Sequence, residues 1–267
     1  AGIGIVQDRS FFRVRKEGKI ENLEKKLGEI GISSNGATGI GHTRWATHGK
    51  PSEENAHPHM SMDGKILVVH NGIIENHQDL RTLLEKDGFI FTSETDTEVL
   101  PHLIQKYYNG DLMIAVQKAL QEVTGTYGIA VLHANHPHEL VVARLCSPMV
   151  VGVGSGETFV ASDVVAFGQH AQAVVYLEDE CVVRITTDGV KDNTTSGKRV
   201  QLHQEAIDWS VDRVELKGYP HWMKKEIFEQ PDTITNAQRG RINTRSAIPV
   251  FGGLLPVIDE LKKMDHL

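Results

Sequence analysis

Short apolar segments divided by turn residues fill the second half of the chain, and they constrain its fold more than any other feature. The residues between them are mainly Gly, Pro, Ser and Asn, which favour tight turns. The segments are Gly128–Leu132, Leu140–Ala143, Met149–Val153, Thr158–Ala161, Ala173–Tyr176 and Cys181–Ile185. Their length and spacing are typical of strands joined by hairpins, which predicts mostly antiparallel sheets. A polar turn is predicted at Asp192–Lys198.

The first half of the chain combines strands with helices. Apolar residues recur at helical spacing in several stretches, which predicts helices over Ile20–Glu29, Asn76–Lys86, Ser93–Asn109 and Met113–Glu122. Strands are predicted at Ala1–Val6, Phe11–Arg15, Ile66–His70 and Phe89–Phe91. Helices grouped among early strands, followed by a strand-rich half, favour a layered α+β fold.

Composition and charge argue against several classes of function. With 40% hydrophobic residues, the 267-residue chain can bury a core as one large domain, or as one domain plus an appendage. Its 28 basic and 35 acidic residues give a net charge of −7 without long runs of either sign, which argues against a nucleic-acid partner. No apolar run approaches the ~20 residues that span a bilayer, and no signal-like start precedes the first strand. We therefore expect a cytosolic protein that does not enter a membrane.

Cys146 and Cys181 are the two cysteines of the chain. Each lies in an apolar, β-like run, which predicts buried structural thiols. Two cysteines do not indicate a disulfide framework.

The carboxyl-terminal stretch differs from the rest. His221–Gln230 has the pattern of an amphipathic helix that Pro231 ends. Its predicted apolar face consists of Trp222, Ile227 and Phe228. Arg239–Arg245 has the composition of a linker, and Phe251–Leu267 has the pattern of the beginning of a further module. The sequence thus predicts a domain over residues 1–238, followed by a separate segment over residues 239–267.

The stretch His42–Gly49 (His-Thr-Arg-Trp-Ala-Thr-His-Gly) has the composition of a ligand pocket. It combines a guanidinium, a large aromatic ring, hydroxyls and imidazoles, whereas a core segment would leave so many polar groups without partners. The planar fork of Arg44 matches a carboxylate, which indicates a small acidic or zwitterionic ligand. The alternative interpretation is a surface arginine beside a core tryptophan.

Three further patterns each allow two interpretations. Asn71–Gly72 is a frequent type I′ hairpin turn. Thr95–Glu98 has the spacing of a capping box at a helix start, although a carboxylate in a first helical turn can also face a ligand. His57 and His59 could bind a metal ion, but no Cys or carboxylate stands at a recognisable ligand spacing, and we expect no metal site.

Several motifs, in order along the chain, closely resemble the glutaminase domain of the glucosamine-6-phosphate synthases, a family of class II glutamine amidotransferases. These motifs are His42–Gly49, Asn55–His59, Val69–Asn76, Ser93–Glu98 and His221–Pro231. The resemblance runs from Ala1 to about Arg241. Related enzymes such as amidophosphoribosyltransferase share the fold, but the Trp45 motif and Lys225–Pro231 are similar to the sugar enzymes.

This resemblance implies a fold, a reaction and partners. The fold would be a four-layer αββα sandwich of antiparallel sheets, of the N-terminal-nucleophile hydrolase type. Residues 1–238 would release ammonia from glutamine for the conversion of fructose-6-phosphate to glucosamine-6-phosphate, without a cofactor. Residues 239–267 would be a linker and the beginning of a covalently linked isomerase domain, through which the full-length enzymes usually form homodimers.

The resemblance also implies residue roles. Asn71, by its side-chain amide, and Gly72, by its backbone N–H, would form the oxyanion hole. Arg44 would bind the α-carboxylate of glutamine, and Asp96 its α-ammonium group. The remaining pocket wall would consist of Trp45, Thr47 and His48.

The nucleophile of that family is an amino-terminal cysteine followed by Gly-Ile. Ala1–Val6 here resembles the second strand of the family, so we expect the first strand and the nucleophile to lie outside this sequence. The chain by itself would then release no ammonia from glutamine. Two alternatives stay open: a non-catalytic module that binds glutamine or glutamate or has a regulatory role, and the glutaminase domain of another class II amidotransferase.

Overall fold

The computed structural model describes residues 1–31, 38–44, 48–195, 204–206, 218–238, 242–243 and 248–249. The chain divides into two compact units, Ala1–Asp208 and Trp209–Leu267. In the described part, no helix is long and apolar enough to cross a lipid bilayer.

The first unit contains strands and helices in an order that groups the helices between early and late strands. The strands are β1 (Gly2–Gln7), β2 (Ser10–Arg15), β3 (Gly39–His42), β4 (His59–Met60), β5 (Ile66–Ile74), β6 (Gly125–His133), β7 (Leu140–Leu145), β8 (Val150–Val153), β9 (Thr158–Ala161), β10 (Ala173–Tyr176), β11 (Cys181–Thr186), β12 (Gly189–Thr195) and β13 (Gln204–Ala206). The helices are α1 (Ile20–Ile30), α2 (His77–Lys86), α3 (Val99–Tyr107) and α4 (Leu112–Leu120), with a 3₁₀ helix at Val164–His170.

These strands form three antiparallel sheets. The largest has six strands in the order β12-β11-β7-β6-β5-β4. A three-stranded sheet has the order β2-β1-β3, and a four-stranded sheet has the order β13-β10-β8-β9. The α+β sandwich of antiparallel sheets that the sequence predicts is therefore confirmed.

The six-stranded sheet is buried on both faces, and β5 shows how. Ile66 and Val68 point into a core that also contains the apolar sides of α2, α3 and α4. Leu67 and Val69 point to the opposite face, into a core shared with residues of the two smaller sheets. Because alternate residues of a strand face opposite sides, a run without polar alternation is what a doubly covered strand requires.

Several predicted elements are wrong in their bounds or type. The helix predicted from Ser93 begins at Val99, because the Glu98 carboxylate binds the backbone of Thr92 and Ser93 and holds the preceding residues out of helical conformation. Phe89–Phe91 is not a strand; its aromatic rings pack against the ring of His102 instead.

Two further predictions need correction. Residues 192–195, predicted as part of a turn, belong to β12, which pairs with β11 as a hairpin; residues 196–198 lie outside the described part. Cys146 is exposed, with φ 59°, just after β7, because the chain bends there and its amide donates to Asp179. Cys181 is buried, as predicted.

The second unit contains α5 (Trp222–Gln238) and the short strands β14 (Ile242–Asn243) and β15 (Ile248–Pro249). The prediction that Pro231 ends the helix is wrong, since α5 continues through it. Proline removes one backbone donor, a loss that a 17-residue helix can absorb. Trp222, Ile227 and Phe228 are exposed. Residues 251–267 lie outside the described part, and the predicted boundary at residue 238 stays a prediction.

Candidate active site

Asn71 and Gly72 lie inside a strand and not in a hairpin turn. β5 continues through both residues to Ile74, and it stays paired with β6 over its whole length. Gly72 has φ 131°, and a Cβ atom there would lie 2.1 Å from the carbonyl oxygen of Thr126. Only glycine fits this backbone position, since both the conformation and the space exclude a side chain.

The side chain of Asn71 contacts His42, the last residue of β3. The Nε2 atom of His42 lies 2.7 Å from Oδ1 of Asn71. Among the described residues, none accepts a hydrogen bond from the amide nitrogen of Asn71. This nitrogen therefore keeps its donors for another acceptor.

Asp96 lies buried beside the Asn71–Gly72 segment. Its Oδ2 accepts a hydrogen bond of 2.8 Å from the backbone N–H of Ile74, which fixes the carboxylate to the end of β5. Its Oδ1 lies 3.7 Å from Nδ1 of His48. A buried carboxylate with one oxygen fixed and the other directed at a cavity is suited to bind a cation.

Arg44 organises the loop that follows β3. Its guanidinium donates hydrogen bonds to the carbonyl oxygens of His48, Gly49 and Lys50. Burial lowers the pKa of Arg44, while the carboxylates of Asp96 and Glu94 act in the opposite direction. The contacts to the three carbonyls use three of the five N–H donors of the group.

These residues meet in one cavity of about 120 Å³. The predicted site residues that line it are Arg44, His48, Asn71, Gly72 and Asp96. Trp45 and Thr47, the other two, lie outside the described residues. The structure thus brings together residues from β3, β5 and the segment before α3 that are far apart in sequence.

Sequence reasoning missed a buried histidine network around this cavity. Nδ1 of His57 lies 3.0 Å from Nδ1 of His42, and Nε2 of His57 lies 3.1 Å from the hydroxyl oxygen of Thr97. The same hydroxyl lies 2.9 Å from Nδ1 of His70. The nearby His59 contacts the hydroxyl of Thr95 at 3.2 Å. The histidines and threonines are visible in the sequence motifs, but only the fold shows which of their side chains contact one another.

Burial determines the charge of these histidines. It lowers the pKa of His42, and it lowers the pKa values of His57 and His59 well below the usual range. Burial also lowers the pKa of His70, against the effect of Asp96. The rings are therefore neutral at pH 7 and can both donate and accept hydrogen bonds.

A larger cavity of about 770 Å³ adjoins the site. Residues of β3 line one side and residues of β9 the other, and β3 and β9 are each the last strand of their sheets. His42, His70 and Asn71 line both cavities. The site is thus open toward a space bounded by two strand edges, whose backbone groups can pair with an extended segment.

The sequence matches known proteins over most of its length. Residues 21–219 match the family described as glutamine amidotransferase domain. A glutamine–fructose-6-phosphate aminotransferase (isomerizing) of Thermus thermophilus is 46% identical over 252 residues, which is 94% of this chain and 41% of that protein. The enzyme of the same name from Clostridium tetani is 47% identical over 243 residues, covering 91% of this chain and 40% of that protein.

Solved structures agree with this match. The glutamine phosphoribosylpyrophosphate amidotransferase of B. subtilis is similar with a TM-score of 0.61 and 26% identity, over 73% of this chain and 42% of that one. A glutamine aminotransferase class-II domain protein of Silicibacter pomeroyi has a TM-score of 0.51 at 15% identity, over 73% of this chain and 90% of that one, and it supports the fold alone.

The chain belongs to the glutamine amidotransferase domain family. It spans about two fifths of the length of the curated relatives it matches, which carry the name glutamine–fructose-6-phosphate aminotransferase (isomerizing).

Proposed function

We propose that this chain is the glutamine-hydrolysing part of an enzyme that converts fructose-6-phosphate to glucosamine-6-phosphate. The observation that carries the proposal is the meeting of Asn71, Gly72, Asp96 and Arg44 in one cavity. The identity of 46–47% to the sugar aminotransferases, against 26% to the phosphoribosylpyrophosphate enzyme, favours the sugar pathway.

The partners of the proposed enzyme follow from the same relatives. Ammonia released at this site would be consumed by a covalently linked isomerase domain, which the relatives' greater length can accommodate. In this proposal residues 1–238 form the glutaminase domain and residues 239–267 begin the connection. The full-length protein would be a homodimer, and it would act in the cytoplasm.

The reaction in this proposal is attack of a thiolate on the side-chain amide of glutamine. The new C–S bond gives a tetrahedral intermediate, whose oxygen carries negative charge. The amide of Asn71 and the backbone N–H of Gly72 would stabilise that charge. Collapse of the intermediate breaks the C–N bond, and the protonated nitrogen leaves as ammonia. Water then hydrolyses the thioester to glutamate.

Substrate orientation depends on the opposite end of the cavity. Asp96 is proposed to bind the α-ammonium group of glutamine, because its Oδ2 is already held by Ile74 while Oδ1 faces the cavity. Arg44 is proposed to bind the α-carboxylate with the donors that the carbonyls of residues 48–50 leave over. The remaining wall is assigned to Trp45, Thr47 and His48.

The proposal places the nucleophile on the amino-terminal cysteine of the full-length protein. An α-amine of pKa about 7.7–8 can accept the thiol proton near neutral pH and later pass it to the leaving nitrogen. The larger cavity between β3 and β9 can hold an extended segment that ends at Asn71. Cys146, exposed and bound through its amide to Asp179, and Cys181, buried in the core, do not line either cavity.

The test is ammonia release from glutamine by the full-length protein and by its Asn71→Ala and Asp96→Asn variants. Asn71→Ala should lower kcat by about 10²–10³, the usual loss for one oxyanion donor, with little change in KM. Asp96→Asn should weaken binding by about 30-fold, since about 2 kcal/mol is lost when a buried charge loses its partner.

Asp79→Asn, on the exposed side of α2, is the matched control and should change neither quantity. If the full-length protein binds glutamate but releases no ammonia, the protein is a binding module and not an enzyme. Normal kcat and KM values in both site variants would show that this cavity is not the active site.

A further inference from the structure

An oxyanion hole that uses an asparagine works only if the amide presents its nitrogen to the substrate. The amide of Asn71 could be turned either way, because its oxygen and nitrogen have nearly the same shape. A partner that accepts hydrogen bonds would turn the oxygen toward the substrate and abolish the donor. The orientation of Asn71 therefore depends on what His42 offers at Nε2.

The backbone around His42 fixes the proton on its ring. The N–H of Arg44 donates to Nδ1 of His42 at 2.8 Å, and a backbone amide can only donate. Nδ1 of His42 must then be the unprotonated nitrogen, so that the neutral ring carries its proton on Nε2. That proton points at Oδ1 of Asn71 over 2.7 Å.

We propose that His42 is a positioning residue, which holds the amide oxygen of Asn71 and thereby directs the amide nitrogen to the oxygen of the reacting carbonyl. This inference rests on the proposed function. Asn71 lines the small cavity beside Gly72, and its nitrogen has no acceptor among the described residues. His42 itself acts only through Asn71.

His57 contacts the Nδ1 side of the same ring. Its Nδ1 lies 3.0 Å from Nδ1 of His42, and its Nε2 lies 3.1 Å from the hydroxyl oxygen of Thr97. A move of the His42 proton to Nδ1 would place it against the N–H of Arg44 and break that 2.8 Å contact.

The first test is the kinetics of His42 variants in the full-length protein. His42→Ala should lower kcat for ammonia release about tenfold, roughly the value of one hydrogen bond, with KM changed less than about twofold. His42→Gln, whose amide nitrogen can occupy the place of Nε2, should recover most of kcat. His42→Asn, whose shorter amide corresponds to Nδ1, should not.

The matched control is His59→Gln, which removes another buried imidazole of the network without a contact to Asn71. It should lower the melting temperature as much as the His42 variants while keeping kcat. Equal kcat losses in His59→Gln and His42→Ala would show a general structural role and overturn the proposal.

A double-mutant cycle separates this inference from the proposed function. In an Asn71→Ala background, His42→Ala should lower kcat no further, because a positioning residue has nothing left to position. Additive losses would overturn the role of His42 while leaving Asn71 in the oxyanion hole. An Asn71→Ala protein with normal kcat would instead overturn the oxyanion hole itself.

Nuclear magnetic resonance of the chain labelled with ¹⁵N-histidine gives a readout that does not depend on activity. The Nε2 atom of His42 should carry the proton, and Nδ1 should show the shift of an unprotonated nitrogen. A proton on Nδ1 would make Nε2 an acceptor, so that Asn71 would turn its amide nitrogen toward His42. That result would overturn the proposal.

Discussion

At the scale of single residues, one dipeptide shows what a sequence pattern cannot decide. Asn71–Gly72 has the pattern of a hairpin turn, yet the strand continues through it to Ile74. The positive φ of Gly72 serves a close approach to the carbonyl of Thr126 and not a turn. The dipeptide correctly indicates a backbone conformation that requires glycine. Only the pairing of β5 with β6 shows that this conformation belongs to a strand and not to a turn.

Arg44 is proposed to bind the α-carboxylate of the ligand, whereas the contacts of its guanidinium in the structure are to backbone carbonyls. Its fork binds the carbonyls of residues 48–50. Arg44→Lys should weaken glutamate binding at least tenfold, because an ammonium cannot bind three carbonyls and a carboxylate in fixed geometry. Calorimetric titration of the 267-residue chain with glutamate measures the effect.

The control for that titration is Arg9→Lys, an exposed substitution in the turn between β1 and β2, which should leave the affinity unchanged. If Arg44→Lys binds glutamate as tightly as the unaltered chain, Arg44 does not belong to the ligand site and only holds the loop.

At the scale of elements, the start of α3 depends on one buried carboxylate. Glu98 accepts hydrogen bonds from the backbone N–H and the hydroxyl of both Thr92 and Ser93, at 2.7–2.8 Å. Residues 92–98 are therefore not helical, and Asp96 among them is bound to the backbone of Ile74 at the end of β5. Its carboxylate lies at the cavity for this reason. The position of the site carboxylate thus follows from the packing of its neighbour.

Glu98→Gln should lower the free energy of unfolding by about 2–3 kcal/mol. The amide would place a donor against the donors of Thr92 or Ser93 and leave a buried group unsatisfied. Urea denaturation measures the loss. Glu85→Gln, which removes an exposed partner of Arg81 on α2, should cost less than about 0.5 kcal/mol. Equal costs for the two variants would contradict the importance of the Glu98 contacts.

The elements also show how much the sequence could predict. Strand and helix types were right where apolar residues repeat over a long stretch, as in β5 and α4. The errors include Ser93 and Phe89–Phe91, where the side chains of Glu98 and His102 decide the local structure, and Pro231, where a long helix absorbs a proline. Periodicity reports burial, and it carries no information about these contacts.

At the scale of the whole molecule, the two cavities of the site are lined by strands from all three sheets of the first unit. The small cavity takes residues from β3, β5 and the segment before α3, while the larger one takes residues from the edges of two sheets. The motifs predicted which residues belong together, but not that His57, His59 and His70 would be buried among them beside a half-buried His42. Such a network is a cost to stability unless its rings stay neutral.

Acid should therefore destabilise the fold through these histidines. Burial lowers the pKa values of His42, His57, His59 and His70 in the folded chain, whereas in the unfolded chain they lie near 6.5. Below about pH 6.5 the unfolded state binds more protons than the folded state, so stability decreases as pH falls toward the folded pKa values. Above that pH both states hold neutral rings, and this contribution does not change with pH.

The expected result is a free energy of unfolding that falls by more than about 1.4 kcal/mol, the equivalent of one pKa unit, between pH 7.5 and pH 5.5. Replacing both His57 and His59 by glutamine should flatten this dependence, because an amide does not titrate. His138→Gln, at an exposed position, is the control and should leave the dependence unchanged. Urea denaturation at three pH values measures the slope, and an unchanged slope in the double variant would mean that other groups cause the acid sensitivity.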